Sequence, residues 1–256
     1  VLFYPPPWLY LEKRHNDGNN LDSNVWWDRY FDLSKLEKDG VIEPYNGRVK
    51  HLTNPVRGLV YSSVTDDIKY FEPDTKICEL PTDVDVVVLT YYEKNSKIHH
   101  YSCMDTENAN TYFEPSKGVK DISSKIRATI GKYNTIHVRR GDVITSGGKY
   151  SGHDASEIDK KTQPEYIMSF LERYNISKEI PLVLFTNEKD DHFFDLLKQS
   201  HNIIMEKDIV ELSNVKTQTG DNFYIYEICK DLCRNSIIDI STVSPRIGPG
   251  HLRLIG

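Results

Sequence analysis

The chain has 256 residues, is 38% hydrophobic and 27% charged, and carries 32 Lys and Arg against 38 Asp and Glu for a formal charge of −6. That balance describes one or two folded domains with their own cores and excludes a disordered chain. It supplies no overall basic field for nucleic acid or an anionic membrane surface, and no apolar run reaches the roughly 18 residues of a membrane-spanning helix, so any anion site must be local.

Val1-Leu2-Phe3-Tyr4 reads as a strand already inside a fold, and Pro5-Pro6-Pro7-Trp8 ends it on an extended path. No basic start leading to an apolar stretch and a cleavage site is visible. A cytoplasmic location is therefore favoured, with the secretory lumen as the alternative where a preceding segment carries a signal. Val25 to Leu33 is densely aromatic and leads into a helix start capped by Asp32 or Ser34. Trp26, Trp27 and Tyr30 read either as a hydrophobic plug or as a platform that stacks on a sugar ring. Residues 41–78 are broken by Gly and Pro and predict few elements. Asp83 to Thr90 predicts a buried strand in the middle of a sheet. Asp83-Val84-Asp85 has the spacing of a metal-binding Asp-x-Asp, but it precedes its strand and reads as a turn. Residues 91–118 read as a loop region or an inter-domain crossing.

The second half is regular. Asp121 is expected to cap a helix with Ile122, Ile126 and Ile130 on one face and Gly131 at its end. A strand over 135–139 and a flexible loop over 146–152 follow. Thr162-Gln163-Pro164-Glu165 has the form of a capping box opening a helix that turns Ile167, Phe170 and Leu171 inwards. Leu182 to Thr186 predicts a strand, and Asn187 a helix cap before Phe193, Phe194 and Leu197. A strand from Asn202 to Met205, a helix from Asp221 with Ile225, Ile228, Cys229 and Leu232 inwards, and a strand from Ser236 to Ile240 complete the pattern. This alternation implies an α/β fold with a parallel sheet covered on both faces. We divide the chain into an N-terminal α/β lobe, 1–120, and a C-terminal lobe, 121–256, with a cleft between them. Cys229 and Cys233 lie one turn apart and read as small apolar core residues. A metal pair is the alternative for Cys229 and Cys233, bridges among Cys78, Cys103, Cys229 and Cys233 stay open, and Asn175-Ile176-Ser177 is the one glycosylation sequon.

In parallel sheets ligands bind at the carboxyl ends of strands. Three hydroxyl-rich or basic stretches fall there: Arg139-Arg140-Gly141-Asp142, Thr186-Asn187, and Ser241-Thr242-Val243-Ser244-Pro245-Arg246. A guanidinium matches phosphate oxygens bidentately. Arg139 and Arg140 alternate sides of their strand, so only one easily faces a ligand while the other pairs with a carboxylate or reaches round the turn; the plain alternative is a pair of structural arginines salt-bridged within the fold. Gly141 lets the backbone turn closely. Asp142 is placed to orient an arginine or take a proton.

These residues resemble the fucosyltransferases with two Rossmann-like lobes, and among them the protein O-fucosyltransferases. Pro6-Pro7-Trp8 with Trp27 to Leu33, His137-Val138-Arg139-Arg140-Gly141-Asp142, Leu184-Phe185-Thr186-Asn187, and Ile228-Cys229 through Ser241 to Ile247 carry the resemblance in the family's order. It implies a GT-B-like fold and an inverting, metal-independent glycosyltransferase with no bound cofactor. The co-substrate is a nucleotide sugar, most simply GDP-fucose, and the acceptor a glycan or protein hydroxyl. On that reading Arg139 and Asp142 are catalytic. His137, Arg139, Arg140, Asp221, Ser241, Thr242, Val243, Ser244 and Arg246 bind the donor, and Trp8, Trp27 and Tyr30 lie on the acceptor side.

Two departures stand out. The family's Gly-rich first loop, which in some members supplies the base, would precede Val1. Its guanine-recognising aspartate falls on Ile225, with Asp221 one turn earlier. A UDP-xylose-type donor is therefore an alternative, and a non-catalytic nucleotide-sugar or glycan-binding module is a third. His153, Asp154, Glu157 and Asp159 are candidate bases by location only.

Overall fold

The computed structural model describes residues 27–38, 58–62, 67–71, 86–88, 114–145, 147, 153–190, 192–242 and 249–255, the strands between 58 and 88 as backbone. The elements expected at Val1–Tyr4 and Pro5–Trp8, the Asp83-Val84-Asp85 turn, Cys78 and Cys103 lie outside the described residues. The chain divides into two compact units that part between Ser116 and Lys117.

In the first unit a 3-10 turn, Trp27–Arg29, leads into β1 (Phe31–Asp32) and α1 (Ser34–Lys38). Asp32 caps α1 by accepting the Ser34 N–H at 3.1 Å. β2 (Gly58–Ser62), β3 (Asp67–Phe71), β4 (Val86–Val88) and β5 (Glu114–Pro115) follow. β2 pairs antiparallel with both β3 and β4, and β1 pairs antiparallel with β5. Every strand pair among its described residues is antiparallel, and among them β4, expected in the middle of a sheet, flanks β2 in the order β3-β2-β4.

The second unit holds α2 (Lys117–Ile130), β6 (Asn134–Val138), α3 (Gly141–Thr145), α4 (Ala155–Lys161), α5 (Pro164–Arg173) and β7 (Leu182–Thr186). It continues with α6 (Asp195–Ser200), β8 (Ile203–Met205), α7 (Val210–Thr219), α8 (Asn222–Arg234), β9 (Asp239–Ser241) and β10 (Leu252–Arg253). All five strands are parallel, in the order β10-β9-β6-β7-β8.

Strand alternation sorts the core into two layers. Ile136, Val138, Leu182, Leu184 and Ile240 pack with Ile158, Ile167, Phe170, Leu171 and Leu197 from α4, α5 and α6. Val183 and Phe185 pack on the opposite face with Val119, Ile126, Leu212, Val215, Ile228 and Leu232 from α2, α7 and α8. Both faces are thus covered, as the near-continuous apolar run of β7 requires. Cys229 and Cys233 are buried free thiols on α8, where burial pushes both well above their usual titration range.

Four local expectations are corrected. α2 begins at Lys117, which pairs with Asp121 at 2.5 Å, so Asp121 sits one turn inside the helix and does not cap it. Thr162 forms no capping box. It ends α4 and its hydroxyl donates to the Ile158 carbonyl at 2.6 Å, leaving Gln163 to precede α5. α4 itself lies where a loop was expected, capped by Asp154 accepting the N–H groups of Ser156 and Glu157. Asn187 does not cap the next helix, because α6 begins only at Asp195. Between them the Glu188 and Asp190 carboxylates accept nearby backbone N–H groups, an alternative to helical bonding. Among the described residues no helix is long and apolar enough to cross a membrane.

Candidate functional site

β6 is the pivot of the parallel sheet. The chain runs outward from it through β7 to β8, then returns to lay β9 on its other side with β10 beyond. Strand order therefore reverses between β6 and β9, and in open α/β sheets ligands settle outside the carboxyl ends of the strands at such a point. β6 brings Arg139-Arg140-Gly141 to this position and β9 brings Ser241-Thr242, with His137 and Ser241 paired in register.

Side chains from both neighbouring strands tie this rim together. From β9, the Thr242 hydroxyl donates to the His137 carbonyl at 2.8 Å and accepts the Arg139 N–H at 2.9 Å. The Thr242 N–H also reaches the His137 carbonyl, at 3.0 Å. From β7, the Thr186 hydroxyl donates to the Val138 carbonyl at 2.8 Å and accepts the Glu188 N–H at 3.0 Å. Asn187 Oδ1 accepts the Arg140 N–H at 2.8 Å. A threonine on each side thus closes the gap left where the strand ladder stops.

The two arginines have different fates. Arg140 continues the face of Ile136 and Val138, is 6% exposed, and is held inside the unit. Its guanidinium donates to Glu188 Oε2 at 3.1 Å, to the Asp159 carbonyl at 3.1 Å, to Asp159 Oδ1 at 2.6 Å and to the Thr162 hydroxyl. It also stacks on Phe193, 4.2 Å from the ring centroid. Those contacts hold α4 and the segment after β7 against the end of β6 and occupy the Arg140 guanidinium. Burial alone would raise Glu188. The Asp190 and Lys189 N–H groups and the Arg140 guanidinium outweigh it and hold the carboxyl below its ordinary range. Arg139 is half-buried, on the alternate face that His137 occupies.

Ser241 is 2% exposed, and its hydroxyl has no hydrogen-bond partner among the described residues. His137 is half-buried on β6. Val243, Ser244 and Arg246 lie outside the described residues, as does Trp8; Asp142 and Trp27 are described in backbone only, within α3 and the 3-10 turn. Asp221 has no exposed surface, and its carboxylate caps α8 by accepting the Tyr224 N–H at 3.0 Å. Ile225 is also buried, at 7% exposure. Tyr30 belongs to the other compact unit and is fully buried.

The loop acids are accounted for as well. Asp154 caps α4, Glu157 pairs with Lys161 at 2.7 Å, and Asp159 pairs with Arg140. The residues that sequence reasoning undervalued are Thr186, Asn187 and Glu188. Their signal was a polar triplet directly after an apolar strand, which reads equally well as a helix cap. No protein-family model matches the chain, and no curated protein matches it.

Proposed function

We propose that the protein is an inverting, metal-independent glycosyltransferase of the GT-B type that transfers a sugar, in the first instance fucose from GDP-fucose, to a glycan or protein hydroxyl. The observation that carries this reading is the placement of Arg139 and the Ser241-Thr242 pair on opposite sides of the reversal point of a parallel sheet, bonded to each other through the Thr242 hydroxyl. A cation and a buried hydroxyl without a partner among the described residues suit the diphosphate of a sugar nucleotide.

In this mechanism the acceptor oxygen attacks the anomeric carbon from the face opposite the diphosphate. The bond from that carbon to the β-phosphate oxygen breaks, its electron pair leaves with the nucleoside diphosphate, and the hydroxyl proton passes to a base or solvent. Negative charge grows on the leaving oxygen as the bond lengthens. Arg139 stabilises it there, a charge-assisted contact of about 1.5–3 kcal/mol. Loss of a comparable oxyanion contact costs about 10²–10³ in rate.

The test is nucleoside-diphosphate release from the donor in the presence of acceptor. Arg139→Ala is expected to abolish it while circular dichroism reports an unchanged fold, and ordinary turnover by this variant overturns the assignment. A second reading keeps the reaction and changes the donor to one such as UDP-xylose. The burial of Asp221 as a helix cap and of Ile225 favours it, since neither offers a carboxylate to guanine. Thermal-shift measurements with GDP and UDP decide between the two, because a ligand that binds the native state raises its apparent stability. Nucleotide binding without sugar turnover would identify a non-catalytic binding module instead.

A further inference from the structure

We infer that Asn187 is a positioning residue for Arg139, acting through the backbone of the β6–α3 turn; the inference rests on the reading of Arg139 as a phosphate ligand. Two rigid peptide planes bracket the Arg139 Cα, and each is anchored from a different neighbouring strand. The plane that ends in the Arg139 N–H is held by Thr242 Oγ1 at 2.9 Å. The plane that ends in the Arg140 N–H is held by Asn187 Oδ1 at 2.8 Å. Peptide groups are planar, so fixing both planes fixes φ and ψ of the residue between them, and with those angles the direction in which its side chain leaves the backbone.

The fit at Gly141 shows how closely Asn187 is seated. A Cβ added there would stand 3.1 Å from the Asn187 carbonyl oxygen and 3.3 Å from its Nδ2. The position carries glycine because Asn187 occupies that space. The helix-cap role expected of Asn187 does not apply to α6, which begins only at Asp195. Thr242 belongs to the proposed donor loop and would confound a test. Asn187 reaches the turn from β7, and its effect on Arg139 is separable.

A purely structural asparagine and a positioning one make different predictions. The first changes the unfolding temperature and leaves ligand selectivity alone. The second changes the preference for a nucleoside diphosphate over the matching monophosphate, because only the diphosphate carries the β-phosphate that Arg139 holds. The experiment titrates the full chain with GDP and GMP, and with UDP and UMP, for wild type, Asn187→Ala, Asn187→Asp and Arg139→Ala. Unfolding temperature serves as the fold control, and amide exchange at Arg140 reads the hydrogen bond itself.

Asn187→Ala is expected to lower the diphosphate-to-monophosphate affinity ratio about tenfold, equal to about 1.4 kcal/mol, and to speed Arg140 amide exchange. Asn187→Asp keeps an acceptor oxygen for the Arg140 N–H and is expected to keep Arg140 amide exchange slow; its added charge repels the diphosphate more than the monophosphate, so this variant is read by exchange and not by the affinity ratio. A wild-type ratio in a folded Asn187→Ala protein, with Arg139→Ala lowered, overturns the positioning role and leaves the Arg139 reading standing. An unchanged ratio in Arg139→Ala overturns that reading instead. Unaltered Arg140 exchange in Asn187→Ala overturns the positioning role whatever the ligands do. Should Asn187→Ala fail to fold, Asn187→Ser, which is too short to reach the amide, takes its place in each comparison.

Discussion

The Thr242 hydroxyl accepts the Arg139 N–H at 2.9 Å and gives its own proton to the His137 carbonyl at 2.8 Å, so one side chain from β9 holds the end of β6 by two bonds. Thr242→Val keeps the shape and removes both. It leaves the Arg139 amide without this acceptor, a loss of about 1–3 kcal/mol where the group is out of water. We expect a shift of that size in denaturant unfolding together with weaker nucleotide binding. Thr242→Ser restores both bonds and is expected to recover most of each. Equal behaviour of the Val and Ser variants would show that the hydroxyl does not hold the rim.

Gly141 is a test of close approach and not of backbone freedom. A Cβ there would stand 3.1 Å from the Asn187 main-chain carbonyl oxygen, and main chain yields less readily than a side-chain tip. Gly141→Ala is expected to destabilise by about 1–3 kcal/mol, the usual cost of overpacking. Arg139 should also be displaced, so nucleoside-diphosphate affinity should fall with the melting temperature. A variant as stable as wild type would mean that the turn after β6 relaxes freely.

The parallel sheet and its rim were legible because each rests on local chemistry. The apolar run 182–186 is a strand by composition alone, the alternating Ile136 and Val138 mark the strand over 134–138, and Asp221 caps α8 as its position before an apolar helix face implies. What was not legible depends on partners distant in sequence. Thr162 and Asn187 look like helix caps, yet Thr162 is bonded to Ile158 and Arg140, and Asn187 to the Arg140 amide. α7 escaped because Val210 is 66% exposed and only Leu212 and Val215 are buried, too few apolar positions for a clear stripe. In the first unit the short strands β2 and β3 are interrupted by polar residues and pair antiparallel, a pattern that the apolar-run criterion passes over.

Arg140 joins two carboxylates, a hydroxyl and an aromatic ring, and its replacement should be costly in a pH-dependent way. Arg140→Met keeps bulk but leaves Glu188 and Asp159 without their cation. Breaking a buried ion pair typically costs about 3–5 kcal/mol, and the exposure of Asp159 argues for the lower end. Glu188 titrates below its ordinary range in the folded protein, so its contribution is present above the unfolded value and is lost as pH falls through the folded one. Wild-type stability should therefore decline on acidification below about pH 4.3, and the Arg140→Met profile should be flatter there. Parallel profiles would separate Glu188 from Arg140.

His201 carries a pH effect of a different origin. It ends α6, is 6% exposed, and has Nδ1 2.9 Å from the Ser200 hydroxyl, while Nε2 has no hydrogen-bond partner among the described residues. Burial, with a smaller push from Lys178 and a weaker opposing pull from Glu172, lowers its titration below the ordinary histidine value. The unfolded chain then binds the proton more readily than the folded one, so stability is complete above about pH 6.5 and falls below it, by no more than about 1.4 kcal/mol per pH unit. Glu206 and Glu227 act with the opposite sign: burial raises both, and folding is favoured by their neutral forms. The His201 share is therefore read as a difference between two proteins and not from one curve. His201→Gln cannot take a proton, and its stability relative to wild type should improve steadily between about pH 6.5 and pH 5. A constant difference across that range would show that His201 keeps an ordinary titration in the fold.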